Sequence, residues 1–198
     1  MSVQGTDSYS EGGTLPELVT RAVMLARRTG FTKSCRLEQG RLLHALAAGA
    51  RGQIGETGTG CGVGLAWMAA ARQPGVRLVS VERELRLVEL VRELFAEVPD
   101  VEIVHGDWTR IHEYGPFDLL VVDGGGNGKQ TEAADPERLL TPAGTIVIDD
   151  FTPLTSWPPT HQGRPDRARS DWLEHPALLA TEVRLAPDLS TVIGTRRP

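Results

Sequence analysis

The sequence predicts an α/β fold, a doubly wound and mostly parallel sheet covered by helices on both faces. Three observations predict it. Between residues 53 and 148, short apolar runs alternate with segments of helical periodicity, the pattern of strand–helix–strand crossovers. The runs at 117–122 and 145–148 are almost wholly apolar, as strands buried on both faces are. The first of the strands runs directly into a loop with glycine at 58, 60, 62 and 64, which opens a helix of small apolar residues.

Taken in order, the elements begin with a helix at 15–28. Thr14 is a candidate N-cap, Pro16 lies in its first turn, and Leu18, Ala22, Leu25 and Ala26 recur at helical spacing. Gly30 ends it. A second helix at 37–48 turns Leu42, Leu43 and Leu46 inward. Residues 53–56 form the strand that enters the glycine loop, and 64–72 the helix after it. A strand at 77–81, a charged amphipathic helix at 84–97 and a strand at 101–104 follow. After the run at 117–122 come a short helix at 136–140 and the strand at 145–148. A helix at 171–179 and a closing pair of strands at 181–185 and 191–194 complete the chain. Residues 151–169 are rich in Gly, Pro and polar side chains and read as one long loop, long enough to serve as a substrate lid.

Composition narrows the function. Hydrophobic residues at 40% and charged residues at 24% are those of a soluble globular protein. The formal charge of −5 argues against a nucleic-acid or anionic-membrane partner, both of which call for a basic face. A small-molecule substrate is expected instead. Cys35 and Cys61 make no disulfide framework, which suits a reducing, cytoplasmic setting. Residues 1–13 are polar, lack the features of a signal peptide and read as a disordered tail, so that 14–198 is one domain. No apolar run is long enough to span a bilayer. Oligomeric state is not legible, a homodimer being compatible with everything above.

The chemistry concentrates at strand ends, where open parallel sheets bind ligands. The dinucleotide fingerprint requires G-x-G-x-x-G, but counting from Gly58 the third glycine falls on Val63, and counting from Gly60 on Leu65. The pattern is Glu56-x-Gly58-Thr59-Gly60-x-Gly62. An acid at that place repels a pyrophosphate and attracts a cation, as in the sulfonium and ammonium of S-adenosylmethionine (SAM). Glu82 ends the next strand, where a carboxylate can accept both ribose hydroxyls. Asp107 ends the third, placed to accept from an adenine amino group, with Trp108 to cover the ring. A helix cap and ordinary packing are the plainer roles for that pair.

The run Gly55-Glu56-Thr57-Gly58-Thr59-Gly60, then Val81-Glu82, Gly106-Asp107, Phe117 through Asp123, and Leu140-Thr141-Pro142-Ala143-Gly144 resembles the class I SAM-dependent methyltransferases in order and spacing. Leu37-Glu38-Gln39-Gly40-Arg41-Leu42-Leu43 is similar to the helix before the core in catechol and caffeoyl-CoA type O-methyltransferases. The resemblance covers about residues 37–150. It implies a Rossmann-like sheet of order 3-2-1-4-5-7-6 with strand 7 antiparallel, preceded by N-terminal helices. It also implies SAM as cofactor, transfer to a hydroxyl of a small acceptor, and cofactor contacts from Glu56, Gly58, Thr59, Gly60, Gly62, Glu82, Asp107, Trp108 and Asp123.

Asp123 ends the fourth strand, and Asp149 and Asp150 end the fifth. Neighbouring strands lie about 4.8 Å apart, so three carboxylates converge, which favours a cation. Hard oxygen ligands suit Mg²⁺ or another divalent cation. In the catechol-type family the matching positions are Asp, Asp and Asn; here the third is Asp150. The family also places a lysine base soon after the first Asp. Here that segment is Gly124-Gly125-Gly126-Asn127-Gly128-Lys129, and Asp123 and Lys129 are the candidate catalytic residues. Rival readings are a non-catalytic SAM-binding module, which the glycine run at 124–128 suggests, and an NAD-dependent oxidoreductase.

Overall fold

The computed structural model describes residues 5–10, 13–123 and 134–198. Its main sheet is built on β1 (Gln53–Thr57), which pairs in parallel with β2 (Arg77–Glu82) and with β4 (Phe117–Val122). Beyond β2 lies β3 (Val101–His105), and beyond β4 lies β5 (Leu140–Phe151), both parallel. The sheet closes with β9 (Leu189–Arg196), antiparallel to β5, and β8 (Leu178–Ala186), antiparallel to β9. The order β3-β2-β1-β4-β5-β9-β8 is the one expected. A two-residue hairpin, β6 (Thr160–His161) with β7 (Arg164–Pro165), stands apart from the main sheet within the segment read as a loop.

The two faces follow from the two-residue period of a strand. Leu119 and Val121 join Ile54 and Leu78 in one cluster with α1 (Glu17–Thr29), α2 (Leu37–Ala47), α3 (Val63–Ala71) and α4 (Leu85–Leu94). Leu120 and Val122 point the other way, into a cluster with Val79, Ile146 and Ile148. That cluster is covered by a 3₁₀ helix (Trp108–Glu113), α5 (Pro136–Leu139) and α6 (Arg167–Leu173). α2 and α3 pack so closely that a Cβ at Gly40 would enter the indole of Trp67.

Three local expectations change. Pro16, not Thr14, occupies the N-cap position of α1, without a side-chain cap. The last helix is α6 at Arg167–Leu173, earlier than 171–179, because Asp166 caps it by accepting from the Arg169 N–H and β8 has begun by Leu178. Residues 5–9, within the stretch read as a tail, form a 3₁₀ helix. Its Tyr9 is buried, donates to the Cys35 carbonyl at 2.9 Å and accepts from the Trp67 indole at 3.0 Å. The ring with its polar end docks the segment together with Arg27, which donates to the Thr6 carbonyl (2.9 Å), and the Leu37 N–H, which donates to the Ser8 hydroxyl (3.0 Å).

Candidate active site

The expected acids gather at the carboxyl ends of β1, β2, β4 and β5. After β1 the chain takes the left-handed backbone at Gly58, Gly60 and Gly62 (φ 82°, 54° and 78°) before α3 begins. This path brings the Gly60 N–H to Glu82 Oε2 at 2.9 Å, while the Glu84 N–H reaches Oε1 at 2.8 Å. The Glu82 carboxylate is thereby fixed at the tip of β2 with lone pairs to spare for a diol. A Cβ at Gly64 would lie 2.7 Å from Glu56 Oε1, so only glycine lets the helix start beside that acid.

Glu56 is 3% exposed. Its Oε2 accepts from Ser80 Oγ at 2.5 Å, and Ser80 is in turn hydrogen-bonded to Thr59 Oγ1 at 2.6 Å. Burial pushes the Glu56 carboxyl up to about 8; the Ser80 hydrogen bond pulls it down, and Asp123, Glu82 and Asp149 push it further up. The Cys35 thiol is raised well above its ordinary value, first by burial and then by Asp149, Asp123 and Glu56. The site is therefore a pocket of negative potential with little water, an environment that favours a cationic ligand.

Glu56, Glu82, Asp123, Thr59 and the glycines 58, 60 and 64 line a cavity of about 190 Å³, whereas Gly62 packs against Val91 and Phe95. Beside it is a smaller one of about 20 Å³, lined by Asp123, Asp149 and Asp150 and by Gln39. Lys33, Ser34, Cys35 and Asp123 line both, so the two cavities meet at Asp123. The Thr57 hydroxyl donates to the Asp123 carbonyl at 2.7 Å, which ties the end of β4 to β1. Adjacent strand residues normally point to opposite faces. Asp149 and Asp150 nevertheless reach one cavity, because Asp150 takes a left-handed backbone (φ 64°) where the register with β9 shifts between Ile148 and Phe151.

The three aspartates share a cavity, but among the described residues no three His, Cys, Asp or Glu side chains stand as a metal-holding group. Asp149 Oδ1 is turned to accept from the Asp150 N–H at 2.6 Å. Asp107 and Trp108 are not among the residues lining either cavity. Asp107 is exposed and caps the 3₁₀ helix that follows, its Oδ1 accepting from the Thr109 N–H (3.1 Å) and hydroxyl (2.8 Å). The Thr109 N–H holds its carboxyl below the ordinary range. Trp108 packs on His112, ring centroids 5.8 Å apart. Lys129 lies outside the described residues.

Nothing in the sequence marks the connection between α1 and α2, yet Lys33, Ser34 and Cys35 line both cavities, Phe31 the larger and Arg36 the smaller. Phe31 packs at Gly60, where a Cβ would meet its ring at 2.9 Å. The Ser34 hydroxyl is buried without a hydrogen-bond partner. The stretch has no periodicity, and an aperiodic connection carries no sign of which ligand it faces.

Residues 56–151 match the model of a methyltransferase domain family. Among solved structures, the chain is similar to the O-methyltransferase TomG of Streptomyces achromogenes, involved in tomaymycin synthesis and solved with SAM. The TM-score is 0.75 at 21% identity, over 98% of this chain and 96% of that one. It is also similar to an O-methyltransferase of Bacillus cereus solved with SAH, at TM-score 0.77 and 21% identity over 98% of each chain. A curated relative, ribosomal RNA small subunit methyltransferase A of Geobacter metallireducens, is 42% identical over 74 residues, 37% of this chain. That match spans about a quarter of the relative's length, 26%. Strand order, glycine cradle and the match over residues 56–151 define a Rossmann-like methyltransferase fold. Among the described residues no helix is long and apolar enough to cross a membrane.

Proposed function

We propose that the protein transfers the methyl group of SAM to a hydroxyl of a small molecule, with the cofactor in the larger cavity and the reacting end of the acceptor in the smaller. The observation that carries this reading is the meeting of the two cavities at Asp123. SAM supplies a methyl carbon bonded to a positively charged sulfur. Glu82, held by two backbone N–H groups, accepts from the ribose. Glu56, the Ser34 hydroxyl and the glycine loop face the methionine portion. Phe31 shields the loop from water.

Asp123, bordering both cavities, accepts the acceptor's hydroxyl proton as that oxygen forms its bond to the methyl carbon. The carbon–sulfur bond breaks, its electron pair returns to sulfur, and a neutral thioether leaves. Positioning of this kind is worth several powers of ten in rate. The negative potential at Glu56, Asp123 and Asp149 favours the cationic cofactor over its neutral product, which assists release.

The name of the Geobacter relative suggests an RNA acceptor as a second reading, and the formal charge of −5 opposes it. The test is formation of SAH from SAM with hydroxylated small molecules, with and without EDTA. Turnover that persists in chelator is expected. Loss of turnover in EDTA, restored by Mg²⁺, instead assigns a cation to Asp123, Asp149 and Asp150. Turnover on ribosomal RNA alone sinks the small-molecule reading.

A further inference from the structure

Gln39 lies in the first turn of α2 and is 1% exposed. Both atoms of its amide, Oε1 and Nε2, are buried without a hydrogen-bond partner. A buried amide normally finds partners, and one that does not is an outlier that asks for an explanation. The same face of α2 carries Leu43 into the core, so a leucine at position 39 would satisfy the fold. Gln39 lines the small cavity together with Asp123, Asp149 and Asp150.

Resting on the reading above, we propose that Gln39 is the acceptor-recognising residue. Its amide holds a hydroxyl or primary amino group of the methyl acceptor against the aspartates. The chemistry of the walls selects that class. The carboxylates only accept hydrogen bonds, whereas the amide both donates and accepts. An occupant must therefore give a hydrogen to a carboxylate and offer a lone pair to Gln39 Nε2. A hydroxyl or a primary amine does both. An ether has no hydrogen to give, and a carboxylate or phosphate would face three aspartates against Lys33 and Arg36, the latter already paired with Glu38 and Asp188. The cavity of about 20 Å³ has room for one such group, so the rest of the acceptor extends outward. Selection by a buried amide is strong, because the wrong occupant leaves it unpaired.

The experiment is calorimetry on the full chain saturated with SAH. The probes are catechol for the hydroxyl class, benzylamine for the amine class, and 1,2-dimethoxybenzene as the control without a hydrogen to donate. The wild type is expected to bind catechol or benzylamine, the stronger of the two naming the class, and not the control. Gln39→Leu is expected to weaken that binding at least tenfold while the Kd for SAH stays within twofold. The Tm of Gln39→Leu without ligands is expected to rise, since two unpaired polar atoms leave the core. Equal binding of the control, binding of neither probe, or unchanged probe affinity in Gln39→Leu overturns the proposal and leaves Gln39 with a bound water only. A fall in Tm on this substitution also overturns it, by showing the amide to be structural. Failure of the wild type to bind SAH is seen separately and defeats the cofactor reading on which the proposal stands.

Discussion

Glu56 is an acid held almost out of water at the start of a helix, and its neighbours are other acids. In the free protein its carboxyl is pushed up to about 8 from 4.5. The folded state therefore binds more protons than the unfolded state between these values. Stability falls as pH rises through that window, and the loss is complete above about pH 8. A cation beside Glu56 reverses the preference and favours the charged form. SAM binding at pH 6–7 is thus expected to expel close to one proton, with affinity rising towards pH 8 and levelling beyond. Calorimetry in buffers of different ionisation enthalpy measures the released proton, and Glu56→Gln should abolish it. Binding heats that do not depend on the buffer in the wild type would show that the cation sits elsewhere. The position of this acid was legible in the sequence, since its distance from the glycines sets it at the strand end. Its pairing with Ser80 was not, because the two are neighbours only through the register of β1 with β2.

At the scale of elements, the long segment after β5 is held through Arg169 and its partner Glu182. Arg169 on α6 is 2% exposed. It donates to Asp166 Oδ2 (3.0 Å), to Glu182 Oε2 on β8 (3.0 Å) and to the Thr152 carbonyl just beyond β5 (2.7 Å), and its guanidinium lies 4.9 Å from the centroid of the Phe151 ring. Glu182 Oε1 also accepts from the Leu154 N–H at 2.7 Å. The end of β5, which carries Asp149 and Asp150, is thus tied to α6 and β8 together. Removing the cation leaves two carboxylates of low exposure without a counter-charge. A loss of about 3–5 kcal/mol is expected for Arg169→Ala, read from denaturant midpoints at unchanged m-value. A loss below about 1 kcal/mol would mean that water replaces the guanidinium and the tie is not structural. Nothing in the sequence set Arg169 apart from Arg164 or Arg167, because burial, not residue type, makes the difference. The same blindness explains why 151–169 read as a single loop: two-residue strands and a cap at Asp166 leave no periodic trace.

For the whole molecule, the sheet order was legible because apolar runs and crossovers leave few topologies to choose from, whereas the wall at residues 31–36 was not, since only folding brings it over the strand ends. The composite pocket makes one demand that separates a sulfonium nucleoside from a dinucleotide. Glu82 and Asp123 line the cradle with carboxylates that would repel a pyrophosphate, and Glu56 adds to them once it is ionised. Any ligand that binds only the folded state stabilises it by RT ln(1 + [L]/Kd), about 2.7 kcal/mol at a hundredfold excess over Kd. For a chain of this size each kcal/mol raises Tm by about 2–4 °C, so saturating SAM or SAH should raise the melting temperature by about 5–11 °C. NAD at the same concentration should leave it unchanged. A comparable shift with NAD and none with SAM would mean that the glycine loop faces a phosphate after all, and Glu56 would then have to bind in its protonated form, the state its burial already favours below pH 8.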